Sequence, residues 1–179
     1  MSITETGRSI NEVLKIYQKM LRDMSEDEFV QTPAKGGWSR SEVYCHVLQV
    51  NISSLLAIEK CLHGKQLVRK YSLPFFTRIV LFLGKFPVVK YKTPEKVAAM
   101  VRKISREEAR NQLIKFNSRL NELLPKIAKS TTDCRIKNPK LGMLNCSQWL
   151  RFMEIHTHHH LKQLSRIKKS IEREHVVNS

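Results

Sequence analysis

The sequence predicts an all-α fold, and within that class a four-helix bundle. Three observations carry the prediction. Four long stretches place apolar residues at three- and four-residue steps, as a helix with one buried stripe requires. No window shows the period-two alternation of a half-buried strand. Only six glycines and six prolines interrupt 179 residues, so breakers are few and fall between the periodic stretches.

The first helix is read from about Thr4 to Met24, with Ile3, Ile10, Leu14, Tyr17, Leu21 and Met24 forming its stripe. Ser25 and Glu28 have capping-box spacing and open a short turn through Phe29, followed by the loop Thr32 to Gly37. A second capping box, Ser39 with Glu42, starts the second helix. Its stripe runs Val43, Val47, Val50, Leu55, Ala57, Ile58 and Cys61, and Gly64 is placed to stop it. Trp38, just before this helix, either caps the core at the bundle end or lines a ligand pocket.

Residues 65–104 then connect the second and third helices. Such a segment is too long for a helical hairpin loop and implies a crossover carrying short helices of its own. One amphipathic piece runs from Pro74 to Gly84, and Thr93-Pro94-Glu95 starts another through Met100. Phe75, Phe76, Ile79, Leu81 and Phe82 admit two readings: packing over one end of the bundle, or an anchor in the interface of an anionic membrane. The first is preferred, because a crossover must bury its apolar side chains.

Ser105 and Glu108 form a capping-box pair for the third helix, whose stripe is Ala109, Leu113, Phe116, Leu120, Leu123 and Ile127. Thr131 to Met143 reads as a loop, with Pro139 and Gly142 as breakers. Asn145 with Gln148 caps the fourth helix, whose stripe is Trp149, Met153, His156, His160, Gln163, Ile167 and Ile171. The whole of 1–179 is expected to form one domain, with 65–104 as an insertion.

Composition limits the function classes. The formal net charge is +16. This admits nucleic acid, an anionic membrane or acidic ligands as partners. A solvated basic surface is the simpler reading, because the basic residues are spread along helical faces. Cys45, Cys61, Cys134 and Cys146 form no CxxC or zinc-ribbon spacing. With no signal-peptide pattern at the start, they are read as reduced thiols of a cytoplasmic protein. The apolar run Pro74–Leu83 is too short to span a bilayer.

Four of the seven histidines lie in Glu154-Ile155-His156-Thr157-His158-His159-His160-Leu161-Lys162-Gln163. At about 100° per residue, His156 and His160 share the apolar face, His158 points to the solvent side and His159 to a flank. Residues four apart are helical neighbours, so both imidazoles can close on one ion. A pair of hydrogen-bonded core histidines is the competing reading. His46 lies at the edge of the second helix's stripe and reaches the pair if those two helices are neighbours. His159 is an alternative ligand. Glu42, four residues before His46, is better explained as a cap. Cys45 beside His46 points about 100° away from it, which argues against a Cys–His nucleophile.

Trp38-Ser39, Glu42-Val43-Tyr44-Cys45-His46 and His156-x-x-His159-His160-x-x-Gln163 together resemble the DinB/YfiT-like superfamily of metalloenzymes. The resemblance extends over nearly the whole chain and implies a metal triad of His46, His156 and His160. It also implies a divalent metal, with thiol-dependent transferases and isomerases among the active members, a low-molecular-weight thiol as cofactor, and a homodimer. Three imidazoles leave a position open on the ion and suit zinc or nickel. The expected chemistry is thiol transfer to a small electrophile or metal-assisted hydrolysis, with Gln163 holding a ligand imidazole or orienting substrate. The rival expectation is a non-catalytic scaffold whose basic surface binds nucleic acid or an anionic membrane.

Overall fold

The computed structural model describes residues 2–64, 71–87, 100–131 and 133–177. Its elements are α1 (Ile3–Arg22), α2 (Glu26–Val30), α3 (Arg40–His63), α4 (Phe75–Leu83), α5 (Arg106–Lys129), β1 (Ile136–Asn138), β2 (Gly142–Leu144) and α6 (Cys146–Val177). The long helices α1, α3, α5 and α6 form a four-helix bundle. In it α3 packs on α5 and α6, and α1 packs on the same two. This puts α1 diagonal to α3, and makes α3 and α6 the neighbours that the histidine argument requires.

Every helix but α4, which follows Pro74 with no side-chain cap, begins where its sequence supplies one. Ser2 with Glu5, Ser25 with Glu28 and Ser39 with Glu42 are complete capping boxes. Asn145 with Gln148 closes the same reciprocal pair ahead of α6, both bonds at 3.0 Å. Ser105 supplies only half a box. Its hydroxyl accepts from the Glu108 amide, but the Glu108 carboxylate turns away to pair with Arg102. The guanidinium competes for the carboxylate with a charge-assisted bond, which is the stronger interaction.

The core is the sum of the four stripes. Ile10, Leu14 and Tyr17 of α1 meet Val43, Tyr44 and Leu48 of α3, Leu113, Phe116 and Leu120 of α5, and Met153 and Leu164 of α6. The helix α6 is more deeply enclosed than a single stripe allows. All six residues from Phe152 to Thr157 are buried, because α1 and α3 cover it on two sides.

Two sequence expectations are corrected. The stretch read as a loop from Thr131 to Met143 contains an antiparallel hairpin, with Ile136 opposite Leu144 and Asn138 opposite Gly142. Its three-residue strands are too short to show alternation. Its turn is built by Oδ1 of Asn138, which accepts from the amides of Lys140 and Leu141, both at 3.0 Å. Gly64 ends α3 as expected, with φ −77°. What demands glycine there is space, since a Cβ would meet Sγ of Cys134 and the carbonyl of Lys60.

The second correction concerns α4. It packs by one side only: Thr77 and Val80 are buried, and the Thr77 hydroxyl donates to the Leu141 carbonyl at 2.9 Å. Nε of Arg151 on α6 holds the Leu81 carbonyl at 3.2 Å. Phe75, Phe76, Ile79, Phe82 and Leu83 are exposed, so α4 does not bury most of its apolar side chains on the bundle. The second expected crossover helix, from Thr93, lies outside the described residues up to Ala99.

Cys45, Cys61, Cys134 and Cys146 are free and buried, as thiols that pack as small apolar groups. Among the described residues no helix is long and apolar enough to cross a membrane.

Candidate metal centre

His46 stands in the second turn of α3, and His156 and His160 are one turn apart on α6, so the packing of α3 on α6 brings the three rings together. Ring centroids lie 5.1 Å apart for His46 and His156, 4.8 Å for His46 and His160, and 4.5 Å for His156 and His160. One ring nitrogen from each falls within 4.8 Å of the others, the one such grouping of metal-ligating side chains among the described residues.

Nε2 of His156 is 3.2 Å from Nε2 of His46. Two nitrogens held about 2.0–2.1 Å from one tetrahedral ion stand roughly 3.3–3.4 Å apart. The observed spacing is thus close to that of two ligands of one ion. At His160, Nδ1 lies 2.7 Å from Oε1 of Gln163. A carboxamide oxygen only accepts, so Nδ1 carries the proton and the Nε2 lone pair is left for the cluster. Nδ1 of His46 and Nδ1 of His156 are buried without a hydrogen-bond partner.

All three rings are held neutral. Burial is the main cause in each case. His46 is lowered to about 4, with the charges of Lys140 and His159 adding to the effect. His160 is lowered to about 3, with His46 adding to it and the Gln163 bond opposing it. His156 falls well below the ordinary range, pushed further by His160 and His46. Buried, uncharged imidazoles with converging nitrogens form a neutral cage lined with lone pairs. Such a cage accommodates a divalent cation, because neutral imidazole is the ligand form. The residues present therefore fit the metal that the sequence resemblance implies.

The surroundings fix the cage. The Tyr17 hydroxyl on α1 donates to the Thr157 carbonyl at 3.0 Å. Nδ2 of Asn51 on α3 donates to the Thr157 hydroxyl at 3.1 Å, and that hydroxyl donates to the Met153 carbonyl at 2.8 Å. These bonds pin α6 from both sides, one residue from His156. Trp38 packs against His46 with ring centroids 5.1 Å apart, and Phe152 against His156 at 5.6 Å. Trp38 thus combines both of its expected roles: it is half-buried on the core and it walls the histidine cluster.

His158 departs from its expected position. It is only half-exposed and meets the Ser9 hydroxyl of α1 at 3.0 Å, because α6 is flanked on that side too. His159 is outside the three-nitrogen cluster; its ring stands edge-on to Phe86 at 5.5 Å. Glu42 caps α3, and Cys45 receives a hydrogen bond from Gln49 at 3.4 Å. Sequence reasoning missed Thr157, Asn51, Tyr17, Phe152 and Lys140. The first two left a usable signal, since a buried threonine and a buried asparagine on facing stripes call for each other.

The comparisons with known proteins agree with this architecture. A four-helix bundle protein, TT2238, matches at 20% identity over 92% of this chain and 99% of its own, with a TM-score of 0.53. The mycothiol-dependent maleylpyruvate isomerase matches at 15% identity over 90% of this chain, with a TM-score of 0.58. A histidine-to-alanine mutant of that isomerase gives a TM-score of 0.59 at the same identity and coverage. This chain spans 60% of the isomerase's length. No curated protein matches the chain. The model of the DinB superfamily matches residues 10–164, which takes in α3, the histidine cluster and Gln163. The chain belongs to the DinB superfamily.

Proposed function

We propose that this protein is a divalent-metal-dependent enzyme, with His46, His156 and His160 as the ligands, that transfers a low-molecular-weight thiol to a small electrophilic molecule. Metal-assisted hydrolysis of a small molecule is the alternative chemistry for the same site. The observation that carries the reading is the convergence of three buried, uncharged imidazoles from two facing helices. All-imidazole ligation favours zinc or nickel. When bound, such an ion supplies Lewis acidity and makes a thiol or water nucleophilic at neutral pH.

The chain's own residues account for the rest. Gln163 holds His160 in the tautomer that turns Nε2 inward. Trp38 and Phe152 wall the rings and keep bulk water from them. Lys140 lies near enough for its charge to act on His46, His156 and His159. That charge favours a thiol or substrate bearing a carboxylate. A thiol cofactor is supported by one structurally similar protein being mycothiol-dependent.

Cobalt-loaded protein titrated with a small thiol such as cysteine or glutathione tests the reading. A near-ultraviolet charge-transfer band should appear in the wild type and be missing in His160→Ala. Cobalt bands that thiol leaves unchanged would overturn the thiol assignment and leave hydrolysis.

A further inference from the structure

The apolar side of α4 is left uncovered by the described residues. On a helical wheel Phe82, Phe75, Ile79, Leu83 and Phe76 follow one another around an arc of about 120°. All five are exposed, Phe75 at 76% and Phe82 at 87%. Thr77 and Val80 sit on the other side and fasten the helix to the hairpin and the core. Gly84, at φ 66°, ends the helix in the left-handed conformation, with Arg151 packed where a Cβ would be. The helix is therefore held firmly while, among the described residues, nothing packs over its most apolar side.

The charge around this arc selects its partner. Arg78 stands at the edge of the arc, and Lys85 follows the helix; both are exposed. Residues 65–104 hold ten lysines and arginines and one acid, Glu95, so nine of the sixteen net positive charges lie in this segment. Most of the 32 lysines and arginines do lie elsewhere, but there acids offset them, and here only Glu95 does. A second copy of the chain would bring the same positive field against itself, which opposes pairing through this face. An anionic bilayer offers both complements at once: negative headgroups for Arg78, Lys85 and the net positive charge of the segment, and an acyl boundary for the phenylalanines. A nine-residue helix, about 13 Å long, cannot span a bilayer but can lie in its interface.

We propose that α4 is an interfacial anchor that docks this protein on an anionic phospholipid surface through Phe75, Phe76, Ile79, Phe82 and Leu83. The anchor is independent of the histidine cluster and of the reading given to it.

Vesicle flotation of the full chain at physiological salt tests this, with phosphatidylcholine alone and mixed equally with phosphatidylglycerol. The wild type should float with the mixed vesicles and far less with the neutral ones. The double variant Phe75→Ser, Phe82→Ser keeps every charge and should bind the mixed vesicles at least about 30-fold more weakly, with unchanged helical circular dichroism. Phe82→Trp gives a readout independent of that variant, since its added fluorescence should shift to the blue on binding. Equal binding by the double variant would reduce the attraction to charge alone and overturn the anchor. A wild-type dimer that the double variant dissociates would assign the face to a second copy. Duplex DNA binding that the double variant abolishes would assign it to nucleic acid.

Discussion

Gln163 accepts a hydrogen bond from Nδ1 of His160 at 2.7 Å, one turn further along the same helix. The bond decides which nitrogen of the ring is free. With Nδ1–H committed to the carboxamide, Nε2 faces His46 and His156 as a lone-pair donor. Gln163 is thus a positioning residue, and the cluster owes its third ligand to it.

Gln163→Ala should lower zinc affinity by about 10–100-fold, the usual cost of losing a ligand's hydrogen-bond partner. Competition with a chromophoric chelator measures this. Gln163→Glu should retain most of the affinity, because a carboxylate oxygen also accepts from Nδ1–H. Equal losses in both variants would show that the side chain serves packing and not the tautomer.

Thr157 joins the two sides of the bundle through its hydroxyl and its carbonyl. Thr157→Val keeps the shape but leaves Nδ2 of Asn51 without its partner in a fully buried position. The variant should lose about 1–3 kcal/mol, read as a lower urea midpoint at unchanged slope. Adding Asn51→Leu should recover part of the loss, since the stranded amide is then gone. Strictly additive losses would mean that the two side chains do not interact.

Acid should weaken the metal-free protein through its histidines. The folded state holds His46 at about 4 against an ordinary 6.5. Above 6.5 neither state is protonated, and the full stability is present. As pH falls below 6.5 the unfolded chain takes up the proton while the folded chain does not, so stability drops until about 4. His46 alone contributes a loss on the order of 3 kcal/mol over that window. Urea midpoints measured at steps from neutral to about pH 4.5 should fall steadily, and less steeply in His46→Gln. A flat profile in the wild type would contradict the buried, neutral rings.

Much of this was legible in the residues. The capping boxes at Ser25 and Ser39 and the stripes of α1, α3, α5 and α6 located the helices, because local hydrogen bonding and periodicity decide those features. The ligand candidates were legible because His156 and His160 share one helical face. Whether His46 joins them depends on α3 lying beside α6, a matter of packing that one-helix periodicity does not encode. The same limit explains His158: its face looked free until α1 was placed against it. The hairpin escaped because three-residue strands carry no pattern. The exposure of Phe75 and Phe82 escaped because an apolar side chain reads the same whether it meets the core or another surface.

The measurement that bears most directly on the central claim is the metal content of untagged protein reconstituted with zinc or nickel, by elemental mass spectrometry, beside His46→Ala and His156→Ala. About one ion per chain in the wild type is predicted, with that ion lost in both variants while the helical circular dichroism is retained. Wild-type protein that takes up no ion, or variants that hold as much as the wild type, would contradict the three-histidine centre.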